Sequence, residues 1–393
     1  MDGADAAGVA REMGVTGRPR KILYVTAGLR GGGAEAMLTR LVTAQPGLAD
    51  EITLVSLLPA EGHVDRLIAG GVKVLELQFD KMGGVAAGML KLAKLIANSR
   101  PDIVQGWMYH GDLAALVALV MSGRRKQTRL VWSIRCSDMD LRHYGRGLRL
   151  VVKACTLLSS WPDLVTANSA AGLKSHLALG YRPRRAEVVA NGIDVDAFRP
   201  DPAVRQAVRS ELGIPEDATV LAHVARVDPM KDHGSFLAAM KELPDLFALL
   251  VGSGTENLPA AGNVLRLGRR HDVPRLFAAA DFAVSSSGFG EGFSNALAEG
   301  MACGLPAIAT DVGDATLILG DTGLVVPPEN PDVLAAAIRT LVREPAAARS
   351  DRRMRARARI VDNFAMAHAV QRYADLYASL GPPPRLTTSG LSL

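Results

Sequence analysis

The chain has 393 residues, 48% apolar and 22% charged, with a formal net charge of +5. That length accommodates two domains with well-buried cores, and the composition excludes a disordered, collagen-like or disulfide-scaffold protein. Three cysteines, Cys136, Cys155 and Cys303, stand far apart without metal-ligand spacing, which points to a reducing compartment and away from a zinc site. Charge is uneven: residues 1–190 hold 25 Lys+Arg against 16 Asp+Glu, and the remainder 20 against 24. A basic first half and a slightly acidic second half predict different partners for the two. Nucleic acid is not among them, since the basic residues are not interleaved with exposed aromatics and no helix-turn-helix, zinc-finger or RRM pattern occurs. Residues 1–19, rich in Ala, Gly and charge, read as a disordered leader rather than a secretory signal. The longest apolar run, 113–121, is too short to span a bilayer. With the cysteine pattern, the expectation is a cytoplasmic protein, free or peripheral on the inner face of the cytoplasmic membrane.

The segment 21–26 is a buried-type strand, followed by a glycine turn at 28–33, then Ala34 and Glu35, and a helix predicted over 37–43. Strand, glycine turn and helix make the opening of a doubly wound α/β domain, although the glycines do not follow G-x-G-x-x-G spacing. Further strands are predicted at 52–57, 72–77, 102–105, 129–134, 164–167 and 187–189. Helices are predicted at 84–98, 112–121, 148–158 and 170–179. This alternation implies a mostly parallel sheet with helices on both faces. Ligands of such sheets bind outside the carboxyl ends of the strands, which places 28–33, 107–110 and 135–138 beside one cleft. Tyr109, His110 and Arg135 are candidates there: a histidine can face the cleft or stay structural, and an arginine presents a fixed fork suited to phosphate or carboxylate. Arg142, Arg146, Arg149 and Lys153 recur along one helical stripe. Such a stripe is either a solvated face or a docking surface for an anionic membrane.

A second α/β set follows the Asn191-Gly192 turn. The strand 220–225 runs into Arg226, and Lys231 follows five residues on, across a strand–turn–helix junction. Two cations held there suit a diphosphate. The strand 247–251 exits through Gly252 and Gly254, and Arg269 and Arg270 precede a helix at 273–280. The stretch from Ser285 to Asp311 then reads strand end, glycine-rich loop, helix, tight turn, strand. Glu291 and Glu299 frame its helix, a little over two turns apart. A helix N-terminus behind a glycine loop attracts phosphate, and a buried Glu further along can accept from sugar hydroxyls. An arginine-dense helix at 349–359 is expected to be solvated, and a last helix at 365–380 is followed by a loose tail, 381–393.

Glu291-Gly-Phe-Ser-Asn-Ala-Leu-Ala-Glu299, with Gly304-Leu-Pro306 behind it, resembles the donor-site signature of retaining family-4 glycosyltransferases of the GT-B fold, cell-envelope type. The Arg226/Lys231 pair and the Asn191-Gly192-Ile-Asp194 segment resemble that family as well. The resemblance covers about residues 20 to 380. It implies α/β architecture with two Rossmann-like domains, 20–190 for the acceptor and 191–364 for the nucleotide sugar, and a helix 365–380 crossing back to the first. It also implies transfer of a sugar, with retention, from a nucleoside diphosphate sugar (UDP first, GDP next) to a hydroxyl of a glycan or lipid-linked acceptor. Neither a cofactor nor a metal is implied. Catalytic roles fall to Arg226, Lys231, Glu291 and His110. Donor contacts fall to Gly32, Gly33, Gly252, Gly254, Arg270, Gly292, Phe293, Ser294 and Glu299, with Glu299 on the ribose. Acceptor contacts fall to Glu35, Tyr109, His110 and Arg135. Two departures stand out: Arg135 replaces the usual acceptor-side histidine, and Asp311-Val-Gly313-Asp314 lacks the usual second glycine and later glutamate. A sugar-nucleotide epimerase and a non-catalytic sugar-nucleotide-binding subunit are the alternative readings.

Overall fold

The computed structural model describes residues 21–381 apart from 30–31, 45–50, 61, 63, 82, 139–141, 143 and 261–262. The expected leader, and the expected tail beyond residue 381, lie outside the described residues. The first half alternates β1 (Lys21–Thr26), α1 (Gly33–Thr43), β2 (Glu51–Ser56), α2 (Val64–Ala69), β3 (Lys73–Glu76), α3 (Gly84–Ser99) and β4 (Ile103–Trp107). It continues through α4 (Met108–Met121), β5 (Arg129–Ile134), α5 (Arg146–Leu158), β6 (Leu164–Ala167), α6 (Ala170–Ala178) and β7 (Ala186–Val188). These strands form a wholly parallel sheet in the order β3-β2-β1-β4-β5-β6-β7. Every residue of β4 is buried, as a strand covered by helices on both faces requires.

The second half comprises α7 (Pro202–Glu211), β8 (Val220–Val224), α8 (His233–Lys241), β9 (Phe247–Val251), β10 (Val264–Arg266), α9 (Val273–Ala279), β11 (Phe282–Ser285) and α10 (Asn295–Ala302). After these come β12 (Ala307–Thr310), α11 (Ala315–Leu319), β13 (Leu324–Val326), α12 (Pro331–Val342), α13 (Ala346–Phe364) and α14 (Met366–Ser379). Its sheet, also parallel, runs β10-β9-β8-β11-β12-β13. Strand order reverses between β1 and β4 in one sheet and between β8 and β11 in the other. At each reversal the crossovers leave to opposite faces and open a crevice at the carboxyl ends of the strands.

Two chain crossings join the halves, side by side. Ile193 N–H donates to the Phe364 carbonyl at 2.7 Å, and Met366 N–H donates to Ile193 at 2.8 Å. Beyond that seam α14 returns to the first half, burying Ala369, Tyr373, Leu376 and Tyr377 among Tyr24, Met37 and Val131. The Tyr24 and Tyr377 hydroxyls meet at 3.0 Å.

Three local expectations change. α1 begins at Gly33, so Ala34 and Glu35 belong to a helical turn and not to the glycine loop. α4 begins directly after β4 because Met108 takes a left-handed φ of 65°, which turns the chain without a linker. The arginine-dense helix is longer than expected and is not simply solvated. Arg357 donates to the Phe198 and Val195 carbonyls at 3.0 and 3.2 Å, and Arg359 donates to that of Ile318 at 2.8 Å. These guanidiniums satisfy carbonyls that helix and loop ends leave unpaired.

Candidate functional site

The second sheet builds a cationic ledge at its reversal point. β8 ends one residue before Ala225, and Pro229–Lys231 form a single 3₁₀ turn. Asp228 caps that turn through Met230 N–H at 3.1 Å and pairs with Arg226 at 3.1 Å. Asp232, at φ 42°, caps α8 through Ser235 N–H at 3.0 Å. Two successive Asp caps therefore fix the backbone that presents Lys231. Beneath it, Ser286 Oγ lies 3.0 Å from the Lys231 and Asp232 carbonyls and 2.9 Å from His223 Nε2. If the hydroxyl proton goes to a carbonyl, His223 donates through Nε2, which leaves its buried Nδ1 without a partner. Burial, then the neighbouring His233 and Lys231, pushes the His223 pKa well below the ordinary value.

Gly252 explains how β9 comes so close. Its φ is 145°, and a Cβ there would run into the Ala225 carbonyl. Gly254, at φ 90°, passes beside Val227. The glycine-rich loop after β11 then brings Glu291 to Lys231. The Lys231 ammonium donates to Glu291 Oε1, and Ser287 Oγ donates to the same oxygen at 3.0 Å. Gly290 takes φ 77°, and Gly313, at φ 65°, packs against the carbonyls of Glu291 and Gly292, where only glycine fits. Ser294 is the N-cap residue of α10, and Phe293 is buried edge-on against Phe364 at 5.3 Å, away from the ledge. Arg270 also turns elsewhere: it pairs with Asp272 at 2.8 Å and with Glu211 of α7 at 3.5 Å. Its hydrogen bond holds the Asp272 carboxyl down at about 2.

At the reversal point of the first sheet lies a cavity of about 140 Å³, lined by Thr26, Ala27, Ala34, Glu35, Trp107, Met108, Tyr109, His110 and Leu148. Glu35 stands in the first turn of α1, and a Cβ on Gly32 would strike its carboxylate. His110 lines the mouth, and partial burial lowers its pKa, so the imidazole is neutral at pH 7. Tyr109 contributes its ring only. Its hydroxyl turns into the core, 2.8 Å from His176 Nε2 and 3.3 Å from Cys136 Sγ.

Arg135 requires a correction. It is buried, its guanidinium carbon 3.6 Å from the centre of the Trp107 ring. Nη1 donates to Asn191 Oδ1 at 3.1 Å, and Nη2 donates to the Tyr373 hydroxyl. Both terminal nitrogens are thus engaged inside the chain, and the residue braces the crossing segments and α14.

The two reversal points face each other across a seam that spacing did not reveal. Asn191 Nδ2 donates to Asn295 Oδ1 at 2.8 Å, and Asn295 Nδ2 donates to the Gly33 carbonyl at 3.1 Å. One turn along α10, Glu299 pairs with Arg40 of α1 at 2.6 Å. The Asp314 carboxylate accepts from Ala170 and Ala171 N–H at 2.8 and 2.9 Å, capping α6 from the opposite domain. Ser137 N–H donates to the Gly290 carbonyl at 3.2 Å. Arg226, Lys231, Glu291, Gly252 and Gly254 therefore stand together on one side, and Glu35 and His110 on the other. Gly32, Gly33, Gly292, Ser294 and Glu299 lie along the seam. Arg40, Asn295 and Asp314 are the participants that sequence reasoning missed. Asn295 lies inside the paired-glutamate stretch, so its facing position was available from helical spacing, whereas Arg40 carries no local signal. Among the described residues no group of three or more His, Cys, Asp or Glu is placed to hold a metal ion.

Residues 31–197 match the family described as Glycosyltransferase Family 4, and residues 218–344 match Glycosyl transferases group 1. A curated relative, the D-inositol 3-phosphate glycosyltransferase of Kineococcus radiotolerans, is 32% identical over 219 residues, 47% of this chain and 50% of that one. The chain spans about half the length of the curated relatives it matches. Anabaena HepE, solved in complex with UDP-glucose, superposes with a TM-score of 0.80 at 23% identity, over 92% of this chain and 100% of that chain. Sucrose-phosphate synthase of Thermosynechococcus elongatus superposes at 0.74 with 18% identity, over 92% and 99%. The fold is thus GT-B, with the first sheet in the segment that matches Glycosyltransferase Family 4 and the second in the segment that matches Glycosyl transferases group 1. Each sheet supplies one wall of the cleft.

Proposed function

We propose that this chain transfers a glycosyl group from a nucleoside diphosphate sugar, UDP-linked first, to a hydroxyl acceptor, with retention and without a metal ion. The observation that carries the reading is the ledge at the β8/β11 reversal. There Arg226 and Lys231 are held by capped turns, Lys231 meets Glu291, and Glu299 lies one turn into α10. In the structure Glu291 neutralises Lys231. On donor entry Lys231 and Arg226 turn to the diphosphate and Glu291 to the sugar hydroxyls, so the cations stand where negative charge grows as the bond to the leaving phosphate breaks. The acceptor oxygen attacks from the same face, and its proton passes to the departing phosphate oxygen. Neutral His110 accepts a hydrogen bond from an acceptor hydroxyl in the facing cavity. Glu35 and the apolar lining support a neutral hydroxyl-bearing acceptor over a phosphomonoester such as the one in the curated relatives' name.

A lipid-linked or membrane-borne acceptor is supported by α5. Arg146, Arg149, Leu150, Lys153 and Leu157 share one exposed stripe, with Leu150 and Leu157 68% and 73% exposed, while Leu148 of the same helix lines the cavity. Cations beside protruding leucines suit an anionic bilayer surface. Among the described residues no helix is long and apolar enough to cross a membrane.

The test is calorimetric binding of UDP, GDP, ADP and TDP and their sugars, with and without EDTA. One strong binder that survives EDTA, and that Lys231→Ala weakens, supports the reading. No binding by any of them overturns it.

A further inference from the structure

The donor reading leaves one strong contact unexplained: Glu299, assigned there to the ribose, is occupied by a side chain of the opposite domain. Arg40 Nη1 stands 2.6 Å from Glu299 Oε1, with the two side chains only 17% and 9% exposed. The Arg40 guanidinium carbon lies 5.4 Å from the Phe198 ring centre, which keeps the fork against the second domain. One helical turn away the same helices touch again, through Asn295 and the Gly33 carbonyl. α1 and α10 therefore face each other along the seam, and the ion pair is the charged half of that contact.

We propose that Arg40 is a positioning residue of the donor site that competes with the donor's ribose: it holds Glu299 oriented before the donor binds and releases it when the ribose binds. The inference rests on the donor reading. Its physical basis is that a guanidinium and a vicinal diol both offer two donors to one carboxylate edge. A diol that engages both oxygens of Glu299 meets Arg40 at Oε1 and competes with it for that edge. The exchange also suits a shielded site, because a carboxylate left there without a partner is costly, and this one passes from partner to partner. Two functions follow. The pair holds the domains together before substrate arrives, and it lowers apparent donor affinity by the fraction of molecules in which Glu299 is engaged. That loss falls only on a ligand whose ribose hydroxyls engage Glu299, so Arg40 lowers affinity for an intact ribose and leaves a dideoxy ligand unaffected.

The experiment measures UDP and 2′,3′-dideoxy-UDP binding by calorimetry for the wild type, Arg40→Met and Arg40→Lys, with circular dichroism and thermal melts as fold controls. Arg40→Met is expected to tighten UDP about five-fold or more, in the range of ordinary coupling between sites, and to leave dideoxy-UDP unchanged. Arg40→Lys keeps the charge without the fork and is expected to fall between. Arg40→Met binding UDP no tighter than wild type, or shifting both ligands equally as a merely structural role would, overturns the proposal. Glu299→Gln separates the two levels. Weaker UDP binding in Glu299→Gln with no gain in Arg40→Met refutes the Arg40 inference alone, whereas UDP, GDP and ADP all failing to bind the wild type removes the donor reading and this inference together.

Discussion

Replacing Lys231 with Ala tests the core of the reading, because it perturbs catalysis and stability for separable reasons. The Lys231 and Glu291 side chains are 19% and 10% exposed, and Ser287 is the other hydrogen-bond partner of the shared oxygen. Removing one member of a largely buried pair strands the other charge, at about 3–5 kcal/mol for a fully buried case. Residual exposure reduces that to about 2–3 kcal/mol. The second domain melts about 2–4 °C lower for each kcal/mol, so the variant is expected to lose roughly 4–12 °C. Losing one cation aimed at the developing phosphate charge is expected to lower kcat about 10²–10³-fold. The double variant Lys231→Ala with Glu291→Gln removes the stranded charge and is expected to regain most of the thermal loss while staying inactive. The assay is a melt of all three proteins beside release of UDP from the donor sugar identified by binding. Full turnover in Lys231→Ala refutes the site. A double variant as unstable as the single one refutes the stranded-charge argument.

Other consequences can be checked directly. Arg135→Leu leaves Asn191 Oδ1 and the Tyr373 hydroxyl without their donor, at about 1–3 kcal/mol each, and is expected to melt lower with unchanged nucleotide affinity; a normal melt with weakened binding would restore the anion-binding role. The His223 and His233 rings lie 4.8 Å apart, and burial, with Lys231 nearby, lowers both pKa values. Below about pH 6.5 the unfolded chain takes up protons that the folded chain refuses, so stability falls with pH there. Melts from pH 7.5 to 5 are expected to show that decline, flattened in His223→Gln, and a flat wild-type profile would contradict it. Leu150→Asp with Leu157→Asp is expected to cut co-sedimentation with phosphatidylglycerol vesicles at least ten-fold, since each leucine contributes about 1.5–3 kcal/mol when buried. Wild-type protein that ignores such vesicles would dispose of the membrane surface.

What the sequence determined by itself is whatever depends on neighbours along the chain. Apolar runs alternating with amphipathic ones dictated parallel sheets. Glycine clusters after strands dictated where loops turn into helices at the carboxyl ends of the strands, because that is local geometry. The Glu291–Glu299 spacing predicts two turns of helix, whereas the structure has Glu291 in the loop and Glu299 one turn inside α10. Even there the register slipped where a backbone special intervened, as at Met108, whose left-handed turn starts α4 four residues early. Only the tertiary structure decided what meets across the seam. Arg135 looks like an anion-binding arginine until Trp107, Asn191 and Tyr373 close around it, and those partners come from three distant segments. Tyr109 sits beside the cavity in sequence and in space, yet its hydroxyl faces His176. Arg40 and Asp314 gain their partners only when one sheet's reversal point is set against the other's. Side-chain pattern along an element records which face is buried. It does not record which residue of another domain that face will touch, since that depends on how the two sheets are docked.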